Sequence, residues 1–306
     1  MNERRAFIFP GQASQYVGMA KDLCEKFPLA QELFGRANKL LGFDIQQICF
    51  SGPEEKLTQT DITQPAIFIH SAMVARLLAE KGMTPDMVAG HSLGEYSALH
   101  AACVLDFDEA LMLVRRRGEL MQRAGAENPG TMAAIVGLDP AEVEAVCQEA
   151  ASAGVVCPAN FNSPGQIAIS GSVAGVQQAM ALAKTKGAKI AKQLAVGGAF
   201  HSPLMAGARN GLRESLQKAY FHEAGCPIYL NVTAKPTKHV DEIRQRLDEQ
   251  LTSPVRWIEI IENMIADGAT QFYEIGPGNV LAGLVKRINK NFVVKTIGKV
   301  AEVEAI

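Results

Sequence analysis

The segment Gly90-His-Ser-Leu-Gly94 most restricts what this 306-residue chain can fold into. It follows the short apolar run 87–89 and precedes a helical pattern, so it predicts a tight turn between a strand and a helix. Two glycines let the strand and the helix approach closely, which lifts the Ser92 hydroxyl out of the sheet. N–H groups at the start of the helix point to the same place and can stabilise an oxyanion. The segment therefore predicts an α/β fold with a serine nucleophile, although so short a pattern also occurs in ordinary turns.

Composition and charge argue against several classes of protein. The chain is 48% hydrophobic and 20% charged, with a net charge of −2, which does not favour a nucleic-acid or polybasic membrane binder. No uninterrupted apolar run approaches the roughly 18 residues of a membrane span, and the first apolar stretch is too short for a signal peptide. Six cysteines without a C-x-x-C pair are typical of reduced thiols. We therefore expect a cytoplasmic protein with no membrane or nucleic-acid partner.

A second loop is a candidate for an oxyanion site. The apolar, β-rich run 5–9 is interrupted by Pro10-Gly-Gln-Ala-Ser-Gln15. This pattern alone favours an ordinary strand followed by a turn. In hydrolases with a strand–turn–helix nucleophile, however, a loop after another strand supplies the second oxyanion donor. The backbone N–H of Gln12 is therefore a candidate for that donor.

An arginine is predicted on the apolar face of the helix after the serine turn. A period of about 3.6 residues places Arg117 on one stripe with Ala110, Val114 and Met121. A guanidinium directed at the interior needs an anion, because an unpaired buried charge is costly. That anion is either an internal carboxylate or a substrate carboxylate held by two parallel hydrogen bonds. The helix pattern alone leaves both open.

The order of predicted elements changes near residue 129. A strand, a helix, two strands joined by Asn162-Ser-Pro-Gly165, a second helix and a last strand follow one another, which is the order of a ferredoxin-like unit. We therefore predict a large domain formed by residues 1–127 and 197–306. Residues 128–196 are predicted to form a small domain inserted into it.

His201 is the histidine that we expect to act with the serine. It lies where the chain returns to the large domain, and clefts between domains are common small-molecule sites. His91 competes for the role, but its position on the turn should direct its side chain away from Ser92. His70 and His100 lie in apolar helical runs and are expected to be structural.

Taken together, these segments resemble one family over essentially the whole chain. The matching segments, in order, are Phe9-Pro-Gly-Gln-Ala-Ser-Gln15, Gly90-His-Ser-Leu-Gly-Glu-Tyr-Ser97, Arg117-Gly118, Asn160-Phe-Asn-Ser-Pro-Gly-Gln166, Phe200-His-Ser-Pro203, Gln250 and Glu274-Ile-Gly-Pro-Gly278. The chain resembles the malonyl-CoA:acyl carrier protein transacylases of bacterial fatty-acid synthesis, which have close relatives in polyketide synthesis. The resemblance implies an α/β-hydrolase-like large domain with a parallel sheet core and an inserted ferredoxin-like small domain.

The resemblance also implies a role for each of the main candidates. Ser92 is the implied nucleophile, and His201 is its base. Arg117 is implied to bind the malonyl carboxylate. The backbone N–H groups of Gln12 and Leu93 are the implied oxyanion donors.

Three further positions take implied roles in substrate binding or orientation. A main-chain carbonyl near Gln250, rather than a third carboxylate, is implied to orient the histidine. Phe200 occupies a position that accompanies selection of malonyl over methylmalonyl groups in polyketide relatives. Asn160 is implied to contact the substrate. One local departure from the family pattern is Gly197-Gly-Ala199, next to Phe200.

The implied reaction transfers a malonyl group from malonyl-CoA to the phosphopantetheine thiol of acyl carrier protein. It proceeds through an ester on Ser92, with ping-pong kinetics and with no metal or other cofactor. The expected acceptor belongs to fatty-acid synthesis, and a polyketide carrier protein is the alternative. An acyl-thioester hydrolase of the same fold is the competing enzyme, and a non-catalytic protein that retains only the fold is the competing class.

Overall fold

The computed structural model of this protein describes residues 3–306, and its large domain is built on a six-stranded sheet. The strands are β1 (Arg5–Phe9), β2 (Met87–Gly90), β7 (Ile228–Tyr229), β8 (Pro236–Thr237), β9 (Gln271–Ile275) and β10 (Val294–Ile297), numbered in chain order. Their order in the sheet is β10-β9-β1-β2-β7-β8. Neighbours from β10 to β7 are parallel, and β8 is antiparallel to β7.

Helices cover both faces of this sheet. They are α1 (Lys21–Lys26), α2 (Pro28–Leu41), α3 (Ile45–Ser51), α4 (Glu54–Leu57), α5 (Thr60–Glu80), α6 (Gly94–Ala101), α7 (Phe107–Glu127), α10 (Ala206–Lys218), α11 (Val240–Gln250), α12 (Trp257–Ala266), α13 (Val280–Ile288) and α14 (Val300–Glu304). Alternate residues of β1 enter different apolar clusters, Phe7 and Phe9 on one face and Ala6 and Ile8 on the other. A strand covered on both faces needs apolar residues at successive positions, which explains the run at 5–9.

Helix α5 is the central helix of the larger cluster. By length and composition it is the one helix in residues 3–306 that could cross a membrane, but 89% of its most apolar 18-residue window is buried inside the protein. His70 on this helix is fully buried, and its Nε2 is 2.8 Å from the carbonyl oxygen of Gly298. Helix α5 is therefore a core helix, and the side chain of His70 packs within that core.

The small domain contains a four-stranded antiparallel sheet. Its strands are β3 (Gly130–Val136), β4 (Val156–Ser163), β5 (Gln166–Ser172) and β6 (Ile190–Gln193), in the order β4-β5-β3-β6. Helices α8 (Pro140–Ala150) and α9 (Val173–Thr185) complete a ferredoxin-like order of elements. Helix α8 begins with a capping box in which Asp139 and Glu142 each accept the other's backbone N–H. The boundaries predicted at 127/128 and 196/197 lie in the connections on either side of this unit.

Strand β4 of the small domain meets the segment before α12 of the large domain through backbone contacts next to the predicted cleft. The N–H of Phe161 on β4 donates to the carbonyl of Val255 (2.9 Å), and the N–H of Val255 donates to the carbonyl of Ala159 (2.9 Å). At the connection between the domains, a Cβ on Gly125 would lie 2.1 Å from the carbonyl oxygen of Gly197. These close contacts fix the small domain over the carboxyl ends of the parallel strands, where α/β proteins bind ligands.

Candidate active site

Ser92 lies on the turn between β2 and α6, and its backbone is strained. Its φ is +52°, in the left-handed region that residues other than glycine rarely occupy. A Cβ on Gly90 would lie 1.9 Å from the backbone of Gly94, and a Cβ on Gly94 would lie 2.1 Å from the carbonyl oxygen of Phe9. Both glycines are therefore required for the turn. Strain of this kind is concentrated at functional sites.

Asn231, which we did not predict from the sequence, holds this turn in place. It follows β7 and is fully buried. Its Nδ2 donates to the carbonyl of Gly90 (2.7 Å), and its Oδ1 accepts the N–H of Ser92 (2.7 Å). Because both ends of the amide are used, the backbone of Ser92 has one orientation. The signal in the sequence was a polar residue just after a strand of a parallel sheet, where functional side chains gather.

His201 is in direct contact with the serine. Its Nε2 lies 2.8 Å from Ser92 Oγ, and its Nδ1 lies 3.0 Å and 3.1 Å from the carbonyl oxygens of Gln250 and Ser253. Nδ1 faces two acceptors and must carry the proton, so Nε2 is free to accept the serine proton. The main-chain carbonyls therefore occupy the place that a carboxylate has in a Ser-His-Asp triad.

The electrostatic environment keeps this histidine neutral. Burial and the charge of Arg117 lower the pKa of the His201 imidazole to about 3, although the two carbonyls oppose the change. A neutral imidazole at pH 7 is the form that can act as a general base.

Arg117 is buried behind Ser92 and has only neutral hydrogen-bond acceptors. Its Nη2 donates to Ser92 Oγ (3.0 Å) and to Gln250 Oε1 (2.9 Å), and its Nη1 donates to Gln64 Oε1 (2.8 Å). Its Nε has no acceptor, and within residues 3–306 no carboxylate oxygen lies within 4.0 Å of the guanidinium. Of the two partners that the sequence left open, an internal carboxylate is thus not in contact. The unpaired cation favours an anionic ligand next to Ser92.

A cavity of about 250 Å³ opens in front of the serine between the two domains. Its lining includes Gln12, His91, Ser92, Asn160, Phe200 and His201, together with apolar side chains such as Met121, Met132 and Leu281. The Nε2 of His91 is occupied by Asn162 Oδ1 at 2.8 Å, so this histidine does not compete with His201 for the serine. The described part of the chain has no group of three or more His, Cys, Asp or Glu that could hold a metal ion.

Two backbone N–H groups near the serine are available to bind an oxyanion. Within the described residues, neither the N–H of Gln12 nor that of Leu93 has a hydrogen-bond acceptor. The loop that contains Gln12 contacts the serine turn, since a Cβ on Gly11 would lie 2.4 Å from the carbonyl oxygen of His91. Free N–H donors fixed by packing are what stabilises a tetrahedral oxyanion.

Comparison with known proteins shows which family has this arrangement. A family model described as an acyl transferase domain matches residues 6–303. The malonyl CoA-acyl carrier protein transacylase of Bacillus subtilis is 46% identical over 95% of this chain and 92% of that protein. The protein of the same name from Escherichia coli K12 is 45% identical over 92% of each chain. The chain belongs to the malonyl-CoA:acyl carrier protein transacylase family.

A solved relative has the same fold as this member of the transacylase family. It is a malonyl-transacylase in complex with a type II PKS acyl-carrier protein, with a TM-score of 0.96 and 41% identity. The similarity covers 99% of this chain and 98% of that one. The predicted fold class, a large α/β domain with a small ferredoxin-like domain, is therefore confirmed.

A second group in the transacylase that we did not predict is a buried carboxylate beside the serine. Glu95 lies in the first turn of α6 and is 1% exposed. Its Oε2 accepts from Gln250 Nε2 (2.6 Å) and from the N–H of Asn231 (3.4 Å). Burial raises the pKa of the Glu95 carboxyl to about 7, and its hydrogen bonds and the charge of Arg117 oppose this increase. The signal in the sequence was a glutamate in the first turn of the helix that follows the serine turn.

Proposed function

We propose that this transacylase transfers a malonyl group from malonyl-CoA to the phosphopantetheine thiol of acyl carrier protein through an ester on Ser92. One observation supports this most strongly. The Ser92 Oγ lies 2.8 Å from a neutral histidine nitrogen and 3.0 Å from a buried guanidinium. The histidine can activate the hydroxyl, and the guanidinium can recognise an acyl group that carries its own carboxylate.

The first half-reaction forms the ester. As Ser92 Oγ attacks the thioester carbonyl carbon, His201 Nε2 takes the hydroxyl proton. The carbonyl electron pair moves to oxygen, and the N–H groups of Gln12 and Leu93 stabilise the oxyanion. When the intermediate collapses, the C–S bond breaks and the proton on His201 passes to the sulfur. The products are free coenzyme A and malonyl-Ser92.

The second half-reaction reverses these steps with a different thiol. The phosphopantetheine thiol gives its proton to His201 and attacks the ester carbonyl carbon. A new C–S bond forms, the C–O bond to Ser92 breaks, and Oγ recovers the proton from the imidazolium. Because both half-reactions share one covalent intermediate, the kinetics are ping-pong.

Selection of malonyl over acetyl follows from Arg117. Its acceptors are all neutral, so a malonyl carboxylate supplies the charge that the buried guanidinium lacks. An acetyl group leaves this cation unpaired, which should cost about 2–5 kcal/mol. Asn160 of the small domain and Phe200 of the large domain line the cavity and limit the size of the acyl group.

We further propose that the acceptor is the carrier protein of bacterial fatty-acid synthesis, in the cytoplasm, and that the reaction uses no cofactor. The solved relative bound to a type II PKS acyl-carrier protein makes a polyketide carrier protein the alternative acceptor. Transfer rates measured with the two carrier proteins decide between them. A faster rate with the polyketide protein would replace the proposed acceptor.

The experiment that tests the proposed function follows the malonyl group to its product. The protein is incubated with malonyl-CoA labelled in the malonyl carbons, and then with phosphopantetheinylated carrier protein. We expect label on the carrier thiol and little free malonate, and neither product with Ser92→Ala. Free malonate as the main product with the wild-type protein would identify a hydrolase instead.

A further inference from the structure

The buried carboxylate of Glu95 has no cation in direct contact. Within residues 3–306, no Lys, Arg or His nitrogen lies within 4.0 Å of it. Its Oε1 has no hydrogen-bond partner, and its Oε2 has two donors, one of which is the side chain of Gln250. A buried carboxylate in this state is costly, and the acyl-transfer steps do not use it. Its position at the start of α6, where the helix dipole favours a negative charge, offsets part of that cost.

Gln250 joins this carboxylate to the buried guanidinium. Its Nε2 donates to Glu95 Oε2 (2.6 Å) and to the carbonyl of Ser92 (3.0 Å), while its Oε1 accepts from Arg117 Nη2 (2.9 Å). An ionised carboxylate only accepts hydrogen bonds, so it fixes which end of the amide faces it. If the Gln250 amide rotated by half a turn, its NH₂ group would face the guanidinium. Arg117 Nη2 would then lose the acceptor that Gln250 Oε1 provides.

The connection has an electrostatic consequence as well as a geometric one. In its ionised form Glu95 acts on Arg117 through one intervening amide, so the guanidinium is close to a negative charge without a carboxylate occupying its hydrogen-bonding positions. A direct ion pair would use the same donors that a substrate carboxylate needs. A chain of hydrogen bonds in a buried site also polarises its members, which strengthens the bond between Gln250 and Arg117.

We propose that Glu95 is a positioning residue that, through the side chain of Gln250, holds Arg117 in the orientation that binds the carboxylate of the acyl group, and so determines selectivity for malonyl over acetyl. The proposal rests on the proposed function. It assigns to Glu95 no contact with the substrate and no proton transfer.

Another buried glutamate provides a matched comparison. Glu274 at the end of β9 is fully buried, and burial raises the pKa of its carboxyl as it does for Glu95. Its oxygens accept the N–H groups of Leu281 (3.0 Å) and Ala282 (2.8 Å), so it caps α13 and has no link to Arg117. A glutamine in place of Glu274 should therefore reproduce the stability cost of losing a buried carboxylate without changing the selectivity.

The experiment measures kcat/KM for acylation of Ser92 by malonyl-CoA and by acetyl-CoA in Glu95→Gln. Glutamine at position 95 both donates and accepts, so the Gln250 amide no longer has one preferred direction. We expect the malonyl:acetyl ratio to fall at least tenfold, mainly through a higher KM for malonyl-CoA. Glu274→Gln should lower the melting temperature and leave the ratio within twofold of wild type.

A double-mutant cycle separates positioning from general damage. In an Arg117→Gln background, Glu95→Gln should not lower the ratio further, because the guanidinium on which it acts is gone. An unchanged ratio in Glu95→Gln, or additive effects in the double variant, would overturn the proposal.

If Glu95→Gln does not fold, Gln250→Met decides, since it removes the amide link but keeps the backbone carbonyl that His201 needs. That variant should show the same loss of ratio, and an unchanged ratio there also overturns the proposal.

Failure of this inference is distinct from failure of the proposed function. If the wild-type protein forms no malonyl-Ser92, the proposed function is wrong. If the wild-type protein is malonylated and the variants keep its selectivity, only the role of Glu95 is wrong.

Discussion

The cavity lined by His100 and the cavity beside Ser92 lined by His201 each contain a histidine of lowered pKa, but only the second has the geometry of an active site. A cavity of about 880 Å³ near the amino end of β2 is lined by His100 and by apolar residues such as Met83, Leu105 and Cys226. The cavity beside Ser92 measures about 250 Å³. The catalytic groups therefore lie beside the smaller cavity, and the volume of a cavity does not identify the active site.

The difference lies in what surrounds each histidine. Burial lowers the pKa of His100 as well as that of His201. The Nδ1 of His100 bonds to the carbonyl of Leu105 (2.9 Å), and within residues 3–306 its ring has no side-chain hydrogen-bond partner. His201 instead faces a hydroxyl on strained backbone, with a buried cation 3.0 Å from that hydroxyl. A lowered pKa thus marks burial, while function requires groups that converge on one atom.

The largest expected effect comes from removing the nucleophile. Ser92→Ala should abolish the covalent malonyl adduct, because no other hydroxyl lies against His201 Nε2 in the described residues. His100→Gln in the larger cavity serves as the control and should still form the adduct. Mass spectrometry of the intact protein after malonyl-CoA treatment measures both. A malonyl adduct on Ser92→Ala would show that the nucleophile is not Ser92 and would contradict the assignment of the active site to the smaller cavity.

The next effect concerns the cation. Arg117→Gln should still be acylated at Ser92 but should lose about 30-fold to about 5,000-fold of its preference for malonyl over acetyl. Arg117→Lys is the matched control, because lysine keeps the positive charge but lacks the planar guanidinium that can form two parallel hydrogen bonds. It should retain part of the preference for malonyl over acetyl. The measurement is the ratio of kcat/KM for the two CoA esters. Malonyl selectivity that survives in Arg117→Gln contradicts the assigned role.

A smaller effect is expected from the amide that holds the serine turn. Asn231→Ala leaves the carbonyl of Gly90 and the N–H of Ser92 without their buried partners, which should cost about 1–3 kcal/mol of unfolding free energy. Loss of the fixed orientation of Ser92 should also slow acylation by up to about 10²-fold. Denaturant unfolding and single-turnover acylation measure these effects. If Asn231→Ala is less stable but is acylated at the wild-type rate, the role of Asn231 is structural only.

The smallest expected effect is a shift in pH dependence. The pKa of His201 is lowered to about 3 by burial and by Arg117, so its imidazole stays neutral well below pH 6.5. The acid limb of kcat/KM for acylation should therefore lie far below that of a solvated histidine. In Arg117→Gln the limb should move to higher pH, because a neighbouring positive charge no longer opposes protonation. Circular dichroism at each pH controls for unfolding. An acid limb of kcat/KM near pH 6.5 in the wild-type protein would contradict the lowered pKa of His201.

Local pattern was sufficient for the elements whose residues are neighbours in the chain. The turn at Ser92, the ferredoxin-like order and the apolar face that contains Arg117 all follow from short-range spacing. Helical periodicity does not show where one helix ends and the next begins, since residues 21–41 form two helices and Pro28 begins the second after an extended Phe27.

Contacts between remote segments could not be predicted from local pattern. Asn231 reaches Ser92 across 139 positions, and Gln250 reaches Glu95 across 155. Neither contact leaves a spacing signal, since each depends on which strands become neighbours in the sheet. Resemblance to a family suggested the carbonyl near Gln250, but the role of its side chain became visible only with the fold.

The most direct test of the account is the mass of the intact protein after exposure to equal concentrations of malonyl-CoA and acetyl-CoA, followed by addition of phosphopantetheinylated carrier protein. We predict one malonyl group on Ser92, almost no acetyl group, and complete loss of the adduct with a matching gain on the carrier protein. Equal malonyl and acetyl adducts, or an adduct that the carrier protein cannot remove, would contradict it.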